Sequence, residues 1–495
     1  MAETNSHSAS HGLVRGLGPW AATAVVVGSM IGQSVFLVAS DMARELGSST
    51  KSLLLWIIGG AVVLCGAFCY AELGAAMPEA GGDYVYLTRG LGDLWGFLFG
   101  WTSAMILKPA PAAVITAGIV RLAGFLVPSI TTPILIWHHR LPLLSHPFQF
   151  TLSATQPLAV TVILLVTALN YFAVRIVGRF QVVLTTVKVA AVVAIVILGL
   201  LPGKAIVAQT PSLPVPAHAP MEALLIAVVP VMLAYNGFQF LGNVGGEIVN
   251  PRRNVPRAVI LGTSLVIFLY LVINWSYFRV LGLPAVAHSE HVASDVLTVL
   301  VGTGGAKWLT IFMIISAFGA LHANFLGGPR VPFAMAREGN FFSFAGHIHP
   351  LFHTPSKALI FHGCMATLLV LTGTYQELYS YDMFATWAFF PFTVVALFQL
   401  RRSVPELARP YSVWGYPWTP LIFGTVALAI SLNLFLLRPV RSSVGLGIIL
   451  LGLPFFYYWR KRAPSVAMDR VGESGLFTAR GPQTNLRSSS WRVGR

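Results

Sequence analysis

Residues 28–36 read GSMIGQSVF, in the middle of an apolar run that extends from Pro19 to about Ala39. About 20 helical residues span the hydrocarbon of a bilayer, so the run is long enough to cross one. Gly28, Ser29, Gly32, Gln33 and Ser34 weaken the helix where it would lie deepest. In hydrocarbon an unpaired backbone group costs several kcal/mol, so a weak stretch is tolerated only where protein or a water-filled cavity satisfies it. The stretch therefore predicts a discontinuous helix beside a buried site.

The rest of the chain fits that setting. Of 495 residues, 56% are hydrophobic and only 10% charged, against about 25% charged in soluble domains. Mean hydropathy is +0.74. The composition specifies an all-α polytopic membrane protein. The chain opens MAETNSHSASHG, polar and carrying Glu3, and the first run lacks an early small-residue cleavage site. That run is expected to stay in the protein. Cys65, Cys69 and Cys364 all lie in apolar runs, which suits packing better than a disulfide, a metal or redox chemistry. No metal and no cofactor is expected. The net charge of +15 resides in short loops and in the segment from Arg460 onward, so membrane orientation explains it better than nucleic acid does.

Apolar runs fall near residues 19–39, 52–77, 94–121, 157–174, 181–201 and 222–244, then 257–281, 308–327, 357–373, 379–400, 416–437 and 443–459. These predict twelve transmembrane helices. Alternate loops place Arg15, Arg89, Arg252, Arg253, Arg257, Arg337, Arg401 and Arg402 on one side, which makes both termini cytoplasmic. The expected divisions are a tail at 1–16, helices one to five in 17–205, six to ten in 206–402, two more in 403–462, and a disordered cytoplasmic tail at 463–495. The long outer loop at 122–156 is rich in proline. It carries adjacent His138 and His139 without further evident metal ligands.

The sixth run shares the anomaly of the first. It reads PVMLAYNGFQFLGNVGGEIVNP over residues 230–251, with Asn236, Gly237, Gly242, Gly245 and Gly246 interrupting it. Interrupted spans at corresponding positions of two halves point to a transporter's midplane site. A break near Ile31 to Ser34 would expose N–H groups at a helix start, suited to a carboxylate. A break near Tyr235 to Gly237 would leave carbonyls suited to an ammonium. Together they predict a receptor for the zwitterionic end of an amino acid. Its candidates are Gly28, Ser29, Ile31, Gly32, Gln33 and Ser34 on one side, and Leu233, Ala234, Tyr235, Asn236 and Gly237 on the other.

Four segments then resemble one family. They are CYAELGAAMPEAGGDYVYL at 69–87, GGEIVNPRRNVPRA at 245–258, AMAREG at 334–339 and ELARPYSVWGYPWTPLI at 406–422. In this order they look like the amino acid-polyamine-organocation superfamily, and within it the L-type amino acid transporters and their prokaryotic relatives. The resemblance covers about residues 17–435. It implies ten core helices in two inverted five-helix repeats, a leucine-transporter-like fold, followed by two C-terminal helices. It also implies alternating access to a central site.

MILKPAPAAV at 105–114 is similar to a basic residue followed by proline in the third span of L-type members, which makes Lys108 a coupling or structural candidate. TTVKVAAVV at 185–193 matches a lysine of this superfamily, here Lys188. The resemblance implies that Lys188 takes the place of a sodium ion, with acceptors from the first break and from the eighth span near Ser316. The chain also departs from the pattern. Gly32, Gln33, Ser34, Val35 and Phe36 stand where the family usually has Gly-Ser-Gly-Ile-Phe, and Leu233 stands where an aromatic gate often lies. Tyr235 and Phe238 are the alternative gates. His322 either lines the cavity or is satisfied by helix neighbours. Glu72 and Glu247 are expected to pair with basic inner loops, and Asp382 to be interfacial.

The expected function is secondary transport of L-amino acids, neutral ones in particular, by exchange or proton coupling. Alternatives are an amino-acid-sensing receptor with the carrier fold, or a polyamine or cationic amino acid permease, against which the lack of an acidic cluster argues. An enzyme would need a Ser-His-Asp set, H-E-x-x-H or a phosphate loop, and none is present in the sequence. The loop at 122–156 contains no cysteine. The animal L-type members that join a glycoprotein subunit use one there, so no covalent heavy chain is expected. Membrane lipid and the substrate are the expected partners, and a bacterial inner membrane the expected location.

Overall fold

The computed structural model describes residues 15–32, 34–36, 38–139, 148–172, 174–201, 218–289, 292–372 and 375–462. The first apolar run breaks. Helix α1 (Pro19–Met30) has proline at its first turn, where a missing N–H is harmless, and its hydrogen-bond ladder stops at Ile31. One 3-10 turn, Ser34–Phe36, leads into α2 (Val38–Leu46). Helix α3 (Ser49–Ala76) follows, capped where Ser48 accepts from the Lys51 N–H at 3.3 Å. Next come α4 (Asp83–Leu91), α5 (Asp93–Thr102) and α6 (Pro109–Leu126), then α7 (Thr155–Phe172) and α8 (Val174–Leu200).

The second half repeats the interruption. Helix α9 (Pro220–Ala234) ends well short of a full span, and only the short α10 (Phe240–Asn243) follows it. The chain continues through α11 (Pro251–Leu281), α12 (Leu283–His288), α13 (Val292–Val301), α14 (Thr303–Gly327) and α15 (Arg330–Arg337). Helices α16 (Ser356–Thr372), α17 (Tyr375–Ser403), α18 (Trp418–Leu437) and α19 (Pro439–Arg462) complete it. Helix covers part of each of the twelve apolar runs. Among the described residues, nine helical stretches are long and apolar enough to cross a membrane, and α1, α9, α13 and α16 are shorter apolar helices.

The all-α expectation needs one correction. In the outer loop, β1 (Pro133–His139) pairs antiparallel with β2 (Phe148–Ser153). The prolines of this loop drew attention away from Ile134, Ile136, Trp137, Phe148 and Phe150, residue types that suit a pleated surface. The side chains of the hairpin, including His138 and His139, lie outside the described set, as do the tails 1–14 and 463–495.

Helix α1 packs against α8, α11 and α14, and it also meets α10; α9 packs against α2 and α3. Helix α6 lies against α14, α16 and α17. Lipid tails are as apolar as leucine, so close helix approach rather than water exclusion drives such contacts. The broken ends of both helices, at Met30–Ile31 and Ala234–Tyr235, are buried, so the irregular backbone there is covered by protein.

Candidate functional site

The carbonyls released at the end of α1 are taken by side chains from the surrounding helices. Lys188 of α8, with none of its surface exposed, donates from Nζ to the Gly28 carbonyl at 3.1 Å and to the Ile31 carbonyl at 2.9 Å. One turn earlier on α8, the Thr185 hydroxyl donates to the Ala24 carbonyl at 3.0 Å. From α11, the Tyr270 hydroxyl donates to the Met30 carbonyl at 2.8 Å. A buried ammonium requires acceptors, and the break supplies two. Gly319 of α14 closes over the lysine stem, so that a Cβ there would lie 3.1 Å from Cε.

Gly237 brings the second interruption against the first. Its φ is +129°, and a Cβ would sit 2.8 Å from the carbonyl carbon and oxygen of Ser29. Side chains with a Cβ rarely adopt this backbone conformation, so glycine here permits both the turn and the contact. The turn is tied by amides: the Gly237 N–H donates to Gln239 Oε1 at 3.1 Å, and Gln239 Nε2 donates to Asn236 Oδ1 at 2.7 Å.

Aromatic groups lie on both sides of the α9 break. Tyr235 stacks on Tyr270 with ring centres 5.3 Å apart, meets Trp56 edge-on, and donates its hydroxyl to the Trp56 carbonyl at 3.1 Å. Phe238 meets Tyr70 edge-on at 5.4 Å and lies near Phe390 and Phe423. Both rings are fully buried.

Pro109 shapes the third wall. Proline lacks an N–H and clashes with the carbonyl four residues earlier. Between α5 and α6 the helix accordingly opens into a π turn at Ser103–Leu107, with the Lys108 N–H reaching the Ser103 carbonyl at 3.2 Å. Lys108 is thereby turned inward and buried, its Nζ 4.1 Å from the centre of the Phe240 ring. It lies close enough to Asp83 for the two charges to interact. Asp83 opens α4, accepts from the Tyr70 hydroxyl, and accepts from Thr393 Oγ1 at 2.9 Å. Lys108, Asp83, Asn236, Gln239 and Thr386 border one small cavity.

The other candidates fall variously. The Ser29 hydroxyl bonds back to the Val25 carbonyl at 2.6 Å, within its own helix. Ser316 Oγ is buried without a hydrogen-bond partner among the described residues, so it is not an acceptor for Lys188. His322 bonds through Nδ1 to Asn170 at 3.0 Å and is absent from the lining of the Lys108 cavity. Gln33 lies outside the described residues, as do the side chains of Ser34 and Asp382. Sequence reasoning missed Asp83, Gln239, Tyr270 and Trp56. Asp83 carried a signal, an acid beside the pair Gly81–Gly82 in a segment already singled out, whereas Tyr270 and Trp56 look like ordinary apolar-run aromatics.

One end of the bundle is held by buried ion pairs. Glu247 receives Arg330 Nε at 2.7 Å, with both side chains 4% exposed. Its backbone carbonyl accepts from the N–H groups of Gly16 and Leu17, and the Val249 N–H returns a bond to the Leu17 carbonyl at 2.9 Å. Glu72 takes Arg401, the Val413 N–H at 2.7 Å and, at 3.6 Å, Arg409.

Comparison with known proteins agrees with this architecture. A family model described as amino acid permease matches residues 17–458. The serine/threonine exchanger SteT of Bacillus subtilis is 29% identical over 468 residues, covering 93% of this chain and all of the relative. The human Asc-type amino acid transporter 1 is 30% identical, over 93% of this chain and 86% of that protein. The large neutral amino acids transporter small subunit 2 of Mus musculus is 31% identical, over 93% and 84%. With a family match running through both interrupted helices and all the residues around them, the chain belongs to the amino acid permease family of the amino acid-polyamine-organocation superfamily.

Proposed function

We propose that the protein is a secondary carrier that moves neutral L-amino acids across the membrane by alternating access. The observation that carries this reading is the contact of Gly237 with Ser29, which joins two helix interruptions at one point. The carbonyls of Gly28, Met30 and Ile31 are committed to Lys188 and Tyr270. What the first break then offers a ligand is the start of its second half at the turn Ser34–Phe36, where helix-start N–H groups favour a carboxylate. The backbone from Leu233 through Ala234 and Tyr235 to Gly237 offers the other pole for the ammonium. Tyr235 with Trp56 and Tyr270, and Phe238 with Tyr70, are the two lids. Lys188 ties spans one and five together where a metal ion would otherwise be needed.

The twelve helical runs are read as twelve spans with both termini cytoplasmic, in a bacterial inner membrane. The packing supports an inverted repeat. The third span (α6) meets α7, α16 and α17, and the eighth (α14) meets α16, α7 and α8, which are the same partners shifted by five spans. The printed names of the relatives, a serine/threonine exchanger and neutral amino acid transporters, favour exchange of neutral amino acids by this chain. It works without a covalently attached second subunit.

The test is uptake by the purified single chain in liposomes, with a panel of labelled L-amino acids, with and without internal amino acid, and at imposed pH gradients. Uptake of neutral amino acids that depends on internal amino acid is expected. Binding without movement would mark a sensor instead. A strict need for a second polypeptide would overturn the single-chain reading.

A further inference from the structure

The end of the bundle that holds the Glu247–Arg330 pair also carries an open cavity of about 510 Å³, a volume typical of small-molecule sites. Its charged wall consists of Arg15 ahead of α1, Glu79 before α4, Arg89 in the last turn of α4, and Arg337 with Glu338 at the end of α15. Val85, Phe333 and Ile348 supply an apolar floor. The cavity adjoins the closure of α1 on both sides. Arg15 precedes Gly16, whose N–H donates to the Glu247 carbonyl at 3.0 Å, and Gly246, also on the wall, precedes Glu247.

Two of the five charges cancel, because Arg89 pairs with Glu79 at 2.7 Å. Glu338 receives the Tyr84 hydroxyl on Oε2 at 2.5 Å, which leaves Oε1 for a ligand. The side chains of Arg15 and Arg337 have no ion pair or hydrogen bond among the described residues. Guanidinium groups in this condition favour a carboxylate or a phosphate. Glu338 decides between the two, since its carboxylate opposes a doubly charged phosphate and accepts an ammonium. Charges of both signs around an apolar floor match a zwitterion with a side chain, which is the chemistry of a free amino acid.

We propose that this cavity is a regulatory site for a free amino acid, with the carboxylate taken by Arg15 and Arg337 and the ammonium by Glu338, and that its occupancy holds the start of α1 closed. This rests on the transport reading above and on the termini being cytoplasmic. The wall comes from the stretches before α1, α4 and α11 and from α4 and α15, so it is complete only while the start of α1 stays against the rest. A ligand favours the state that binds it best. A pool at ten times the dissociation constant raises the closed population relative to the open one by about elevenfold. Amino acid accumulating inside thus slows further turnover, where exchange alone would only saturate.

In liposomes of phosphatidylcholine and phosphatidylglycerol, whose headgroups lack an N–H ammonium, uptake of labelled amino acid should rise with the internal pool and then fall severalfold at high concentration. Arg15→Gln combined with Arg337→Gln should keep the rise and end on a plateau. Occupancy is read separately. In Ala80→Cys, on the cavity wall, with exposed Cys364 changed to serine, amino acid should protect the new thiol from a water-soluble maleimide, and the two arginine substitutions should remove that protection. A plateau in the wild type overturns the regulation. A fall and a protection that survive both substitutions overturn the assignment to this cavity. A fall that appears only when phosphatidylethanolamine is added would make a lipid headgroup the occupant and overturns the amino acid. No uptake of any amino acid would instead count against the transport reading, with the protection result still judging the site, so the two failures are distinguishable.

Discussion

Gly237 in the second interrupted helix lies so close to Ser29 in the first that an added Cβ would come within 2.8 Å of the Ser29 carbonyl. Two segments more than 200 positions apart therefore share one close joint that glycine accommodates.

Gly237→Ala should abolish transport and lower stability. The φ of +129° adds about 1–3 kcal/mol of backbone strain for a residue with a Cβ, before the clash with Ser29 is counted. Melting in detergent and uptake in liposomes are the measurements. A variant with wild-type melting and uptake would show that the joint tolerates a Cβ.

Lys188→Ala removes a charged donor from the Gly28 and Ile31 carbonyls. Each such bond contributes about 1.5–3 kcal/mol, equivalent to a tenfold or larger change in the population of the state that contains it. Uptake should fall by at least about tenfold while the protein still elutes as a folded species. Normal uptake by a well-folded variant would remove the lysine from the mechanism.

The pairing of Glu247 with Arg330 and of its carbonyl with Gly16 and Leu17 acts as a latch between the start of α1 and the stretch before α11. Removing one partner of a buried ion pair costs about 3–5 kcal/mol, so Glu247→Gln, which keeps the backbone bonds but loses the ion pair, should weaken that latch. A cysteine placed at buried Leu17, with exposed Cys364 changed to serine, should react with a water-soluble maleimide faster in the Glu247→Gln background. Equal labelling rates would reject the latch.

If helix-start amides hold the substrate carboxylate, an amino acid amide, which lacks that charge, should compete at least about tenfold less well than its parent, because charge-assisted bonds are about twice as strong as neutral ones. Equal competition by the amide would place the recognition elsewhere.

The sequence alone determined the helical membrane architecture, the positions of the apolar runs and the two places where helix formation fails. Hydrophobic run length and helix-weakening residues act locally, and both are readable along the chain. It also showed that Lys188 is a cation in an otherwise apolar segment, for which partners must exist. It missed the hairpin in the outer loop, where prolines masked strand-forming residues. What joined the pieces was tertiary: which carbonyls Lys188 reaches, that Ser316 is not among them, that Gly237 touches Ser29, and that Pro109 turns Lys108 toward Asp83. Those relationships depend on how helices pack side by side. Periodicity fixes which face of a helix is apolar, but not which neighbour that face meets or at what height.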